Sequence, residues 1–253
     1  MRVIRNSLLA ATAIYGTSAA ADVIPTVPDS CVDTMIEENF CSKTEAPATY
    51  GPVSVTFYGM VSKEDFATPE DIHKRFRDYP AWIDYVAFSE SDAIDIQYSM
   101  DAGSFIEKGP DGKDVEVSKH YFDYVSQAPV IKVMHVRGVE YGKEVKPVTG
   151  ALKSWRFEMF TKDHEVPKGL PPLGSEHNGL RSHFTSIHIG ECTDGRFCEP
   201  DYFYVVYDAV VEPNIRLLPR LTAPYIKRSI EAVFFGMLFG DAAETATLRP
   251  PGN

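Results

Sequence analysis

The chain is poor in several things that would have made its role easy to read. Its most apolar run, residues 232–240 within "EAVFFGMLFGD", is nine residues long, whereas a membrane-spanning helix needs about 20. An interfacial anchor would place Lys and Arg beside such a run, and here Glu231 and Asp241 close its ends. Basic residues are also scarce: 25 Lys and Arg stand against 36 Asp and Glu, for a formal charge of −11. Phosphate backbones demand a concentrated basic surface, so nucleic acid is excluded as a partner. "KEVK" at 143–146 and "IKR" at 226–228 are too short to supply one. No G-x-S-x-G, H-E-x-x-H or phosphate-cradling Gly-rich motif occurs. Asp111, Asp114 and Glu116 lack the calcium-loop pattern. Neither a metal nor a cofactor is implied.

What is present begins with an export signature. "MRVIRNSLLAATAIYGTSAAAD" has Arg2 and Arg5, an apolar stretch from Leu8 to Tyr15, and an A-x-A site at Ala19–Ala21. Residues 1–21 are read as a signal peptide, with the mature chain starting at Asp22 and carrying −13 once the two arginines are gone. The expected location is the periplasm or the extracellular space. There the four cysteines, Cys31, Cys41, Cys192 and Cys198, are expected to form disulfides. Cys192 and Cys198 flank the turn-rich "TDGRF", so a bridge across a hairpin is natural. Cys31 and Cys41 lie in "SCVDTMIEENFC", whose Val32, Met35 and Ile36 have helical spacing. A continuous helix would hold those cysteines about 15 Å apart, against the roughly 6 Å that a disulfide spans. Either the chain turns near Glu38-Asn39 or these cysteines staple the N-terminal segment to the hairpin; local pairing is favoured. Neither C-x5-C nor C-x9-C has the tight ligand spacing of a structural zinc site.

Residues 22–50, with Pro25, Pro28 and Pro47, read as a stapled extension. A strand follows at "GPVSVTFYGMVS", where Val53, Val55, Phe57 and Val61 alternate with polar positions. "ATPEDIHKRFRDYPAWIDYV" opens with helix-start chemistry: Thr68 as cap, Pro69 at the first turn, Glu70 and Asp71 at the positive dipole end. Pro80 breaks the helix at Tyr79, so two short helices are expected. About six strands come next. Among them "AIDIQYSMD" puts Ile94, Ile96, Tyr98 and Met100 on one face, and "LKSWRFEMF" groups Trp155, Phe157 and Met159. The inward face of "PVIKVMHVRGVEY" is ambiguous. The connection 162–180, with His164 and His177, is rich in Pro and Gly and reads as a loop or rim. "PRLTAPYIKRSIEAVFFGMLFG" is a long helix near 219–240. Ile226, Ile230, Val233 and Met237 form its stripe, Phe234 and Leu238 its edge, and Phe235 and Phe239 lie on the other side.

The order strand, two short helices, antiparallel strands and one long terminal helix resembles the helix-grip fold of the START-domain and pollen-allergen (SRPBCC) superfamily. The likeness is carried by "PEDIHKRFRDYPAWIDYV" and "NIRLLPRLTAPYIKRSIEAVFFGML". It implies an α+β domain over 51–241, with a curved sheet wrapped around the C-terminal helix and a flexible tail at 242–253. It further implies a hydrophobic small molecule or lipid as the partner, held between sheet and helix. The residues expected to line that space are Tyr98, Trp155, Phe157, Tyr207, Ile226, Ile230, Val233, Phe234 and Met237. Trp82 and Trp155 also suit plain core packing. An inward His183 with Tyr207 supplies the alternative, an acid–base pair of cyclase or hydrolase type. A third alternative is a structural or interaction module whose core is filled.

Overall fold

The computed structural model describes residues 23–89, 92–128, 132–160, 179–214 and 218–240. The expected signal peptide, most of the 162–180 connection with His164 and His177, and the tail from 242 lie outside those residues.

Period-two patterning dominates the middle of the chain and yields long strands. After a first helix α1 (Asp29–Glu38) and a short strand β1 (Phe40–Glu45) comes β2 (Val53–Ser62). Helix α2 (Pro69–Arg77), a 3₁₀ turn at Tyr79–Ala81 and helix α3 (Trp82–Phe88) follow. Then β3 (Ile94–Lys108), β4 (Asp114–Ala128), β5 (Lys132–Glu144), β6 (Ala151–Phe160), β7 (Leu180–Glu191) and β8 (Tyr202–Pro213) lead to helix α4 (Pro219–Phe239). The strands form one antiparallel sheet in the order β1-β2-β8-β7-β6-β5-β4-β3. From β3 to β8 each strand pairs with the next in sequence, and β8 lies beside β2, leaving β1 and β3 at the two edges. The curved sheet grips α4. This is the helix-grip architecture.

Local chemistry explains the element ends. Thr68 and Asp71 form a reciprocal capping box: the Thr68 hydroxyl accepts the Asp71 N–H at 3.3 Å and the Asp71 carboxylate accepts the Thr68 N–H at 3.0 Å. At Tyr79-Pro80 the ladder breaks into the 3₁₀ turn, as the imino ring requires. Pro219 occupies the first turn of α4, where a missing N–H costs nothing. Pro224 therefore lies inside the helix and not at its start.

The two faces of the sheet are covered differently. The inner face carries the main core, including Val53, Val55, Phe57, Trp155, Phe157, Met159, Ile187, Val205 and Tyr207, packed against Phe234, Met237 and Leu238 of α4. On the outer face, α1 covers only the end formed by β2 and β8. Val27, Cys31, Met35, Tyr58, Met60, Tyr204 and Val206 make a second cluster there.

The extension read over 22–50 thus lies within the sheet, through β1, and within this second core. Asn39 adopts a left-handed conformation (φ 57°) and turns the chain out of α1. That turn brings Cys41 back to Cys31, with Cα atoms 5.7 Å apart in a disulfide. Cys192 and Cys198 are bridged likewise, at a Cα separation of 5.9 Å. Both pairs are local, and the expected turn near Glu38-Asn39 is what permits the first. The segment is nevertheless tied to the hairpin without a covalent link. Arg196 reaches Asp29 at 2.7 Å and the Val27 carbonyl at 3.2 Å, and the Tyr204 hydroxyl donates to the Pro25 carbonyl at 2.8 Å.

Candidate functional site

The concave face is mostly apolar, with one concentration of polar groups among the described residues. There, three adjacent strands and one further along bring polar side chains to the same depth. His120 of β4 sits directly across from Glu140 of β5, which sits across from Met159 of β6, itself across from His183 of β7. Glu140 is at the centre, with its side chain 7% exposed. One carboxylate oxygen lies 3.6 Å from His120 Nδ1 and the other 3.7 Å from His183 Nδ1. Both separations exceed hydrogen-bonding range.

The surroundings fix the imidazoles. The Ser99 hydroxyl donates to the Tyr79 carbonyl at 2.5 Å, so toward His120 Nε2, at 2.8 Å, it acts as acceptor. His120 therefore carries its proton on Nε2. The Tyr79 ring stacks on it at 4.1 Å, and Trp82 meets it edge-on at 4.5 Å. This leaves Nδ1 as a lone pair, buried and without a hydrogen-bond partner, facing a carboxylate oxygen. On the other side, His183 Nε2 lies 2.8 Å from the Thr185 hydroxyl, which lies 3.5 Å from the Tyr207 hydroxyl. Burial pushes both imidazoles below their ordinary pKa, against the opposing pull of Glu140. Burial, helped by the Glu140 charge, raises the phenols of Tyr124 and Tyr207.

The expected lining residues distribute unevenly. Trp155, Phe157 and Tyr207 are buried on the inner face, and Ile226, Phe234 and Met237 are buried on α4. Tyr207 packs 5.1 Å from Phe234. Ile230 and Val233 pack against the core but are only partly buried. Phe235 points away from the sheet's centre and meets Phe40 of β1 at 6.1 Å.

Tyr98 corrects the sequence reading. Strict alternation put it on the face of Ile94 and Ile96, but a register shift between Ile96 and Tyr98 flips the stretch up to the second shift after Asp101. Tyr98 is 41% exposed, against Tyr121 on the outer face, and Ser99 takes the inward position. Alternation cannot signal a bulge.

His183 and Tyr207 do come together, through Thr185. Glu140 and His120 were missed. On β5 both faces mix apolar and charged residues, so the pattern left the inward side open. "HYFDYVS" of β4 likewise gave no reason to prefer His120 over its neighbour. Trp155 is buried as a core residue would be, stacked on His73 at 3.8 Å, with its indole N–H unpartnered. Among the described residues no group of three or more His, Cys, Asp or Glu is placed to hold a metal ion.

Comparison with solved structures adds relatives in shape. One is a START superfamily protein from Mycobacterium smegmatis, at 12% identity and TM-score 0.37, covering 83% of this chain and 99% of that one. Another is human STARD10, at 10% identity and TM-score 0.44, covering 89% and 86% respectively. The likeness concerns the fold. No family model and no curated protein matches the sequence.

Proposed function

We propose that the protein binds a hydrophobic small molecule, a lipid or similar amphiphile, between the inner face of the sheet and α4. The observation that supports this most is a pattern of burial along the helix. Ile226, Ile230, Val233 and Met237 lie three or four residues apart and form the centre of the covered face. Their flanking neighbours Ser229, Phe234 and Leu238 are buried, yet Ile230 and Val233 at the centre are only partly so. In a filled core the centre of a covered face is its most buried part. Accessible surface under the middle of α4, facing a largely apolar wall with a few polar groups, suits a small-molecule chamber.

The two disulfides suit an oxidising compartment, and no helix of the described residues is long and apolar enough to cross a membrane. With the N-terminal leader pattern, the disulfides support export as part of the same proposal. A second reading, an enzyme using the same space, is favoured by one feature: His183 stands between Glu140 and the Thr185 hydroxyl. Turnover of a bound ester that vanishes in His183→Ala would move the protein to that class.

The test of the binding reading is Ile230→Trp. With a chamber beneath Ile230, the indole fills space: uptake of a fluorescent lipid falls sharply while stability changes by less than about 1 kcal/mol. In a closed core the same change overpacks and costs about 1–3 kcal/mol. A destabilised variant, together with a parent that takes up no lipid, would leave α4 as core and the proposal refuted.

A further inference from the structure

The polar cluster centres on one buried carboxylate, Glu140, with no cationic side chain beside it. Among the described residues no Lys or Arg lies within 4 Å of Glu140; its ion-pair neighbours are His120 and His183. Burying a carboxylate without a cation or good hydrogen bonds is costly. The cost is compounded here, because a second acceptor, the Nδ1 lone pair of His120, faces the same carboxylate at 3.6 Å. Two acceptors opposed across a gap too long for a hydrogen bond call for a donor between or beside them. Burial lowers the pKa of both imidazoles, against the opposing pull of Glu140, so neither offers the carboxylate a ready cation. Aromatic faces surround the spot, with Tyr79, Trp82 and Phe122 packed on His120 and Tyr124 on Phe122. Such faces favour a cation and give an anion nothing.

We infer that the chamber selects amphiphiles by the charge of their polar end, taking a protonated amine at Glu140 and His120 and rejecting a carboxylate or other anionic end. This rests on the binding reading above and adds the class of ligand to it. An ammonium group brings three donors and one positive charge. It satisfies Glu140 and the orphaned His120 nitrogen together. An alcohol of the same length satisfies one acceptor and leaves the charge. A carboxylate adds a like charge in a site of low polarity.

The experiment is a matched series, dodecylamine, dodecanol and laurate, each titrated below its micellar concentration at pH 7.5 by displacement of a fluorescent apolar probe. The parent should bind the amine tighter than the alcohol, and the alcohol tighter than the acid. Amine and acid should differ by on the order of a hundredfold, about 2.8 kcal/mol. Glu140→Gln keeps the shape and removes the charge. It should collapse that ratio to within a few-fold, weakening the amine more than the alcohol. The parent series stands on its own should this variant fail to fold. Equal binding of all three, or preference for laurate, would overturn the charge selection and leave the chamber intact. Failure of the whole series, with no probe uptake, would overturn both readings.

Discussion

Gly236 offers the sharpest test of how α4 is seated, because two effects of similar size oppose one another there. It lies in the middle of the "FFGML" run, well inside a helix. Replacing a helical Gly by Ala normally gains about 0.8–1 kcal/mol. A Cβ at this position, however, would stand 2.2 Å from the Tyr85 carbonyl oxygen, 2.7 Å from its carbon and 3.1 Å from the Val86 Cα. All three atoms are backbone of α3 and cannot swing aside as a side-chain tip does. Relief requires α3 and α4 to separate by about 1 Å, the shortfall from ordinary contact distance. Overpacking that moves backbone belongs at the upper end of the usual 1–3 kcal/mol. The propensity gain offsets about one of these, leaving a net loss of about 1–2 kcal/mol for Gly236→Ala. In a chain of this size that is a fall in Tm of about 2–8 °C. Urea unfolding with the disulfides intact, run beside a thermal melt, reads both quantities. Gly59→Ala is the control: its nearest neighbour is the Leu238 Cδ1 at 2.7 Å, the flexible end of a side chain. It should cost less than Gly236→Ala. A stabilised Gly236→Ala would show that helix propensity wins and that the close approach of α3 to α4 does not limit the packing.

Two other outcomes follow from the structure. Non-reducing peptide mapping should recover Cys31 with Cys41 and Cys192 with Cys198, and any cross-linked pair would refute the local topology; opening either small loop should cost about 2–3 kcal/mol. His73, stacked on Trp155, is pushed by burial down to about 4, below its ordinary 6.5. The unfolded chain therefore takes up the proton first, and the stability held by neutral His73 is present at pH 7, begins to fall near pH 6.5 and is lost as pH drops through about 4. His73→Phe should flatten that part of the stability–pH curve, and an unchanged slope would reject the assignment.

The architecture was legible because its signals are local and redundant. Residues 219–240 carry a helical stripe and α4 spans Pro219–Phe239; Thr68, Pro69 and Pro80 mark α2 and the bend after it. What escaped depends on contacts that no local pattern encodes. Strand β1 is six residues long and alternates only weakly, so its place at the sheet's edge is decided by pairing with β2. Tyr98 was misplaced by a bulge. Glu140 was hidden because its meaning lies in three strands at once: a glutamate on an ambiguous strand becomes noteworthy only when His120 and His183 are seen on either side. The apolar stripe of α4 is legible from its spacing, whereas the difference in burial between Ile226 and Ile230 is one of surroundings and not of composition.

The outer cluster beneath α1 also makes the sheet mechanically unequal along its width. Where β2 and β8 run, apolar side chains are packed on both faces, and the two disulfides hold the connections that flank them. At the opposite margin β3 is an outermost strand, with two breaks in its register against β4. Among the described residues no helix packs on the outer face at that margin, and a ladder with two breaks yields before one held by a helix and two disulfides. Any widening of the trough around α4 is therefore borne by the β3–β5 wall and the α3 contact above it, while the β2–β8 wall serves as the fixed jaw.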